Sequence, residues 1–87
     1  EAIKVLIVDD EPNIRDLLTT SLRFAGFSTH AVANGTDAVN AAEKGEPDII
    51  LLDVMLPDMN GFSVTKKIRS MGITAPVLFL TARDETE

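Results

Sequence analysis

Polar side chains follow three apolar segments of the chain, at the point where each segment ends. The segments are residues 4–8, 49–52 and 76–80, and the polar residues that follow them are Asp9 and Asp10, then Asp53, then Thr81. Unbroken apolar runs of this kind are typical of strands buried on both faces of a parallel sheet. Ligands of such sheets bind at the carboxyl ends of the strands. If the three strands are neighbours, these four side chains meet in one site.

Three carboxylates in one site would repel one another strongly. Two unit charges about 5 Å apart repel by roughly 3 kcal/mol at an effective dielectric constant near 20. This repulsion is relieved either by protonation of some carboxylates or by a bound cation. Because the set offers oxygen ligands without His or Cys, it favours a hard cation, Mg²⁺ before Ca²⁺. For Asp10 alone, capping of a helix that begins near Pro12 is an equally good explanation.

A carboxylate and a hydroxyl beside Mg²⁺ are groups that phosphoryl transfer uses. The cation positions the phosphate and offsets developing charge, while a carboxylate can serve as the nucleophile. Asp53 is the predicted nucleophile because it stands alone at the end of the most hydrophobic strand. Thr81 could donate a hydrogen bond to a phosphate oxygen. The placement of these residues therefore indicates Mg²⁺-dependent phosphoryl chemistry at Asp53.

Segments with helical periodicity separate the apolar strands. The predicted helices cover residues 12–25, 36–44 and 61–70, and a weakly alternating edge strand covers residues 27–33. The first helix carries an apolar stripe formed by Ile14, Leu17, Leu18, Leu22 and Ala25. Pro12 favours its start, Gly26 favours its end, and Thr36 is the predicted N-cap of the second helix. The order β-α-β-α-β-α-β with right-handed crossovers predicts an α/β fold, an open, doubly wound parallel sheet with helices on both faces.

Composition narrows the class of protein. The 87 residues are 45% hydrophobic and 25% charged, which is typical of one small globular domain. A net charge of −6 disfavours a nucleic-acid-binding surface on this segment. Cysteine is absent, which excludes disulfides and thiolate metal sites. The longest apolar runs are four residues, so no membrane span is predicted, and no signal-peptide pattern follows Glu1.

Three separated motifs carry a resemblance to a known family. They are Val5-Leu6-Ile7-Val8-Asp9-Asp10-Glu11, then Asp53-Val54-Met55-Leu56-Pro57-Asp58-Met59-Asn60-Gly61, then Leu80-Thr81-Ala82-Arg83. Together, and in this order, they resemble the response-regulator receiver domain of two-component signalling, most closely that of OmpR/PhoB-like transcription regulators. The resemblance covers essentially the whole chain. It implies a flavodoxin-like fold, here β1-α1-β2-α2-β3-α3-β4 of the usual (βα)5.

The resemblance also implies a role for each matching residue. Asp53 would be the phosphoacceptor, and Thr81 would be the switch hydroxyl that moves toward the phosphoryl group. Asp10 would bind Mg²⁺ directly and Asp9 would bind it through water. The backbone carbonyl of Met55 would be a further ligand. Pro57 and Gly61 match the family's loop after the third strand, where Pro57 restrains the loop and Gly61 permits a backbone conformation that other residues resist.

The chain departs from the family pattern at its C-terminal end. Receiver domains carry an essential Lys and an aromatic switch residue on a fifth strand, and this sequence stops at Glu87. We therefore expect residues 1–87 to be a C-terminally incomplete receiver domain. The fourth strand would then be an exposed hydrophobic edge. We expect the chain alone to be weakly stable, or to associate through that edge as a homodimer or a segment-swapped oligomer.

The leading hypothesis is a cytoplasmic regulatory module rather than an enzyme. A sensor histidine kinase would transfer a phosphoryl group to Asp53, and a DNA-binding output domain outside this chain would regulate transcription. One alternative is a Mg²⁺-dependent phosphatase with an aspartyl-phosphate intermediate, which needs an acid two positions after the nucleophile, where Met55 stands. A nucleotide-binding domain is disfavoured because the turn after the first strand lacks glycine. A pseudo-receiver that acts only by protein contact is disfavoured by the intact acidic set.

Overall fold

The structure, a computed structural model, describes residues 2–80 and contains four strands that alternate with three helices. The elements are β1 (Lys4–Val8), α1 (Pro12–Phe24), β2 (Ser28–Val32), α2 (Gly35–Gly45), β3 (Ile49–Leu52), α3 (Gly61–Ser70) and β4 (Val77–Phe79). The predicted element order and α/β class are confirmed. Thr81 lies outside the described residues, so its predicted role stays a prediction. Within residues 2–80, no helix combines the length and the apolar character that a membrane crossing requires.

The four strands form one parallel sheet in the order β2-β1-β3-β4. Val8 is in register with Val32 on one side and with Leu52 on the other, and Leu52 is in register with Phe79. The strands therefore end at nearly the same level. The chain moves from β1 to β2 on one side and then to β3 on the other, so the strand order reverses beside β1. Open α/β sheets bind ligands at this position.

The hydrophobic core lies between the sheet and two of the helices. Buried side chains from β1 and β3 meet those from α2 and α3: Leu6, Val8, Ile50, Leu52, Ala38, Ala42, Val64 and Ile68. These residues fall at strand and helix positions that the sequence pattern predicts. Since both α2 and α3 contribute side chains with almost no exposed area, this layer fixes the start of each helix relative to the sheet.

The apolar stripe of α1 is only partly covered in the described part of the chain. None of its stripe residues is buried, and Leu17 is 61% exposed. The physical reason is that α1 packs on β1 and β2 at one side of its sheet face, where it covers Val5 and Ile7 but has no second described helix beside it. Among residues 2–80, β4 is the last strand on its side of the sheet, and its Leu78 and Phe79 are 52% and 40% exposed.

The start of α2 also differs from the prediction. Asn34, rather than Thr36, is the N-cap, and its side-chain oxygen accepts a hydrogen bond from the Asp37 N–H at 2.8 Å. Thr36 lies inside the first turn, and its N–H and hydroxyl both donate to Asp58. The helix starts earlier because Asn34, itself a favoured N-cap residue, accepts the Asp37 N–H, while Asp58 accepts the N–H groups of Gly35 and Thr36 in the turn between them.

Gly61 begins α3 in close contact with the end of β3. Its N–H donates to the Val54 carbonyl at 2.7 Å. A Cβ atom on Gly61 would lie 2.7 Å from the Asp53 carbonyl oxygen and 3.1 Å from Cε1 of Phe79. Positive φ angles occur at Gly26 and Gly72 but not at Gly61. The predicted reason for this glycine, an unusual backbone conformation, is therefore wrong. Glycine is required at position 61 because the backbone of Asp53 and Val54 leaves no room for a Cβ atom.

We predict that Gly61→Ala destabilises the protein by about 1–3 kcal/mol, the usual cost of overpacking, because backbone atoms of Asp53 and Val54 cannot move aside cheaply. Urea unfolding measures this change. Gly45→Ala is the matched control, since a Cβ atom there meets nothing within 4 Å and alanine favours the helix. Equal stability of Gly61→Ala and the wild type would contradict the close-contact explanation.

Candidate functional site

The parallel ladder continues one residue beyond the ends of β1 and β3 and places two aspartates there. The Asp9 N–H donates to the Val32 carbonyl at 3.2 Å, and the Asp53 N–H donates to the Val8 carbonyl at 2.9 Å. Asp9 and Asp53 therefore follow adjacent, hydrogen-bonded strands. Their backbone positions are determined by the sheet rather than by a loop.

Three carboxylates meet at this edge of the sheet. One oxygen from each of Asp9, Asp10 and Asp53 lies within 4.8 Å of the other two. Asp9 is buried, Asp53 is half-buried and Asp10 is exposed. The predicted clustering is confirmed for these residues. At such separations the charges repel one another substantially unless a proton or a cation intervenes.

Asp9 has the most perturbed environment of the three. Burial raises the pKa of its carboxyl above the usual value, and the charges of Asp53, Asp10 and Glu11 raise this pKa further. A hydrogen bond from the Glu11 N–H, at 2.9 Å, opposes the rise in pKa. The Asp9 side chain is therefore aimed by a backbone donor while its charge remains poorly solvated, a situation that a bound cation would relieve.

One carboxylate oxygen of Asp53 is free to react with or bind another group. Its Oδ1 accepts a hydrogen bond of 3.3 Å from the Met55 N–H. Across residues 2–80, no donor reaches Oδ2. Since Asp53 is only half-buried, this oxygen is open to an incoming group. The cluster as a whole is an oxygen-only donor set with few internal hydrogen bonds, which fits a hard divalent cation such as Mg²⁺.

Of the two remaining predicted site residues, Met55 belongs to the described part of the chain and Thr81 does not. Met55 is in the loop after β3, two residues from Asp53, with its side chain 72% exposed. Its predicted use of the backbone carbonyl as a ligand stays a prediction. The Leu80 N–H donates to the Leu52 carbonyl at 2.9 Å, so the ladder between β3 and β4 reaches the residue before Thr81.

Arg15 supports the site and was missed from sequence. Its guanidinium donates to the backbone carbonyl of Asp9 at 2.8 Å and so holds the turn between β1 and α1. The available signal was weak: a basic residue one turn into a helix that follows an acidic pair. Arg15 lies outside the apolar stripe of α1, and nothing in the local sequence links it to the Asp9 carbonyl.

Asp58 is the second residue that sequence reasoning missed. One carboxylate oxygen accepts from the Gly35 N–H at 2.7 Å, and the other accepts from the Thr36 N–H at 2.9 Å and the Thr36 hydroxyl at 2.8 Å. These donors lower the pKa of Asp58 to about 2. Gly35 and Thr36 lie 23 and 22 residues before Asp58 in the chain, so no local sequence signal connects them to it.

Comparisons with known proteins agree with this geometry. The family model for the response regulator receiver domain matches residues 5–87. The chain is 43% identical over 82 residues to the alkaline phosphatase synthesis transcriptional regulatory protein PhoP of Bacillus subtilis, covering 94% of this chain and 34% of PhoP. It is 40% identical over 84 residues to the DNA-binding response regulator MtrA of Mycolicibacterium smegmatis, covering 95% of this chain and 36% of MtrA.

A solved structure shows the same fold. The chemotaxis protein CheY4 of Vibrio cholerae superposes with a TM-score of 0.91 at 34% identity, over 98% of this chain and 72% of that one. The chain spans about a third of the length of the curated relatives PhoP and MtrA. The predicted resemblance, including its OmpR/PhoB-like character, is confirmed. With its receiver fold and its acidic cluster at the carboxyl end of the sheet, the chain belongs to the response regulator receiver domain family, whose members are phosphoacceptors rather than enzymes.

Proposed function

We propose that Asp53 accepts a phosphoryl group from the phosphohistidine of a sensor histidine kinase. The observation that carries this proposal is the arrangement of Asp53: it is half-buried, no donor among residues 2–80 reaches its Oδ2, and two further carboxylates lie within 4.8 Å. Membership of the receiver family supports the direction of transfer, toward the aspartate.

The transfer is a substitution at phosphorus. The open oxygen of Asp53 attacks the phosphorus atom, an oxygen–phosphorus bond forms, and the bond from phosphorus to the imidazole nitrogen breaks. The electron pair of the broken bond stays with the imidazole, which is released as the leaving group. The Met55 N–H orients the Asp53 carboxylate during this step because it donates to the other oxygen.

Mg²⁺ is the proposed cofactor, held by the carboxylates of Asp9, Asp10 and Asp53 and by the backbone carbonyl of Met55. The donor set supports this assignment because it offers only oxygens and carries excess negative charge. When bound, Mg²⁺ offsets the charge that develops on the phosphoryl oxygens. Asp9 contributes from a buried position, where the Glu11 N–H holds its carboxylate toward the cluster.

The output is proposed to be transcriptional regulation. A phosphoryl group at Asp53 would carry a charge close to −2, and the Thr81 hydroxyl would respond by donating a hydrogen bond to it. MtrA is a DNA-binding response regulator and PhoP is a transcriptional regulatory protein, and this chain matches only about a third of each. A DNA-binding output domain outside this chain is therefore the proposed effector.

We predict that a small phosphodonor such as phosphoramidate, with Mg²⁺, phosphorylates the wild-type protein and not Asp53→Asn. Intact-mass measurement before and after acid treatment reports the modification, because an acyl phosphate is chemically labile. Asp37→Asn is the control, since it removes one charge from an exposed residue outside the cluster. A phosphoryl mass increase that is still observed in Asp53→Asn would show that another residue is phosphorylated.

We predict that Asp9→Asn weakens Mg²⁺ affinity by at least about tenfold, because even a supporting residue of a metal site contributes that much. Without Mg²⁺ the same variant should be more stable than the wild type near neutral pH. The sign follows from the raised pKa of Asp9. A raised folded-state pKa means that the folded protein binds this proton more tightly, so the ion-free wild type gains stability as pH falls through that pKa.

Calorimetric Mg²⁺ titration and urea unfolding check both parts of the Asp9 prediction. Mg²⁺ affinity of the wild type should also fall as the pH is lowered, since the proton and the cation compete for the Asp9 carboxylate. An Asp9→Asn protein that binds Mg²⁺ as tightly as the wild type would remove Asp9 from the proposed ligand set.

A further inference from the structure

The loop between β3 and α3 is a closed structure with Asp53 at one end. At its base, the Gly61 N–H donates to the Val54 carbonyl at 2.7 Å, and Met55 and Asn60 form an isolated antiparallel bridge. Among residues 2–80, no donor reaches the Met55 carbonyl at this base, so the direction of that carbonyl depends on the tip, residues 56–59, that continues from it. The base leaves the Met55 side chain 72% exposed, so packing of that side chain does not restrain the backbone at this position.

The tip of this loop is bound to the first turn of α2. Asp58 accepts three hydrogen bonds there, from the Gly35 N–H, the Thr36 N–H and the Thr36 hydroxyl, all between 2.7 and 2.9 Å. Met59 lies against Gly35, in the space that a Cβ atom on that glycine would occupy. Charge-assisted bonds to helix N-terminal amides are among the stronger hydrogen bonds in proteins.

The helix that receives Asp58 is a rigid support. Ala38 and Ala42 of α2 are 0% and 1% exposed and belong to the core formed with β1, β3 and α3. Asn34 caps the Asp37 N–H of the same first turn, so Gly35 and Thr36 are left to donate to Asp58. The loop is thus held at its base by β3 and α3 and at its tip by α2.

We propose that Asp58 is a positioning residue for the Asp53 site. By binding the loop tip to α2, it holds the backbone of residues 54–56, and with it the Met55 carbonyl, in a fixed place relative to the three carboxylates. This inference rests on the proposed function, in which that carbonyl is a ligand of Mg²⁺. Loss of the Asp58 bonds leaves the carboxylates clustered by the sheet but lets the fourth oxygen move.

A purely structural role would have a different consequence. If Asp58 only stabilised the N-terminus of α2, its removal would lower the stability of the protein without changing Mg²⁺ binding by the folded molecules. Removal of another acidic residue from the same helix turn would then act in the same way. Asp37 is that residue: it is exposed, lies in the first turn of α2, and makes no hydrogen bond to the loop among residues 2–80.

The test compares Asp58→Ala, Asp58→Asn and Thr36→Val with Asp37→Asn in the full-length protein. Mg²⁺ affinity is measured by calorimetry, phosphorylation by phosphoramidate is measured over a range of Mg²⁺ concentrations, and stability is measured by urea unfolding. All binding and rate measurements are made well below the unfolding transition, so that the folded fraction is the same in each variant.

We expect Asp58→Ala to weaken Mg²⁺ affinity about tenfold, the lower end of the usual cost of losing a supporting residue at a metal site. Asp58→Asn keeps one acceptor oxygen and Thr36→Val removes one of three donors, so both should show smaller losses of affinity. The phosphorylation rate of Asp58→Ala should approach that of the wild type at saturating Mg²⁺. Asp37→Asn should bind Mg²⁺ as the wild type does.

Unchanged Mg²⁺ affinity in Asp58→Ala, or an equal loss in Asp37→Asn, would overturn the positioning role. If Asp58→Ala does not fold, unchanged affinity in both Asp58→Asn and Thr36→Val would overturn it. The proposed function fails separately: a wild-type protein that binds Mg²⁺ but is not phosphorylated on Asp53 would refute phosphoacceptance. In that case, weaker Mg²⁺ binding by Asp58→Ala would still support the positioning role.

Discussion

Repulsion among carboxylates at the carboxyl end of the sheet is the interaction around which this receiver domain is organised. Asp9 and Asp53 cannot separate, because each follows directly on a strand whose hydrogen-bond ladder extends to its own N–H. Burial makes the charge on Asp9 still less favourable and raises its pKa. Within residues 2–80 the fold therefore holds negative charge close together with no cationic side chain bound to it, an arrangement that a divalent cation would stabilise.

The contacts around this cluster hold the backbone that carries the aspartates, and they do not reduce the negative charge of their side chains. Arg15 binds the carbonyl of Asp9, Gly61 allows α3 to begin against the carbonyl of Asp53, and Asp58 binds the intervening loop to α2. None of these contacts neutralises a carboxylate of the cluster. Hydrogen bonds and close packing thus fix the backbone geometry, while the repulsion among the carboxylates remains. A bound cation would reduce this repulsion.

Much of the fold could be predicted because its signals are local and repeated. The apolar runs of β1 and β3, the Pro12 start of α1 and the helical spacing of α3 each specify an element within a few residues. Prediction failed where a partner was distant. The bonds from Gly35 and Thr36 to Asp58 join residues 23 and 22 positions apart, and no local capping pattern contains them.

The sequence by itself determined the alternation of strands and helices, the aspartates at the strand ends and the family motifs, since all of these are properties of short segments. Only the tertiary structure decided which carboxylate is buried, why residue 61 must be glycine and what anchors the loop after Asp53. Those properties depend on distances between residues that are far apart along the chain, and periodicity carries no information about such distances. The order of strands in the sheet connects the two levels, because it brings separately predictable strand ends to one place.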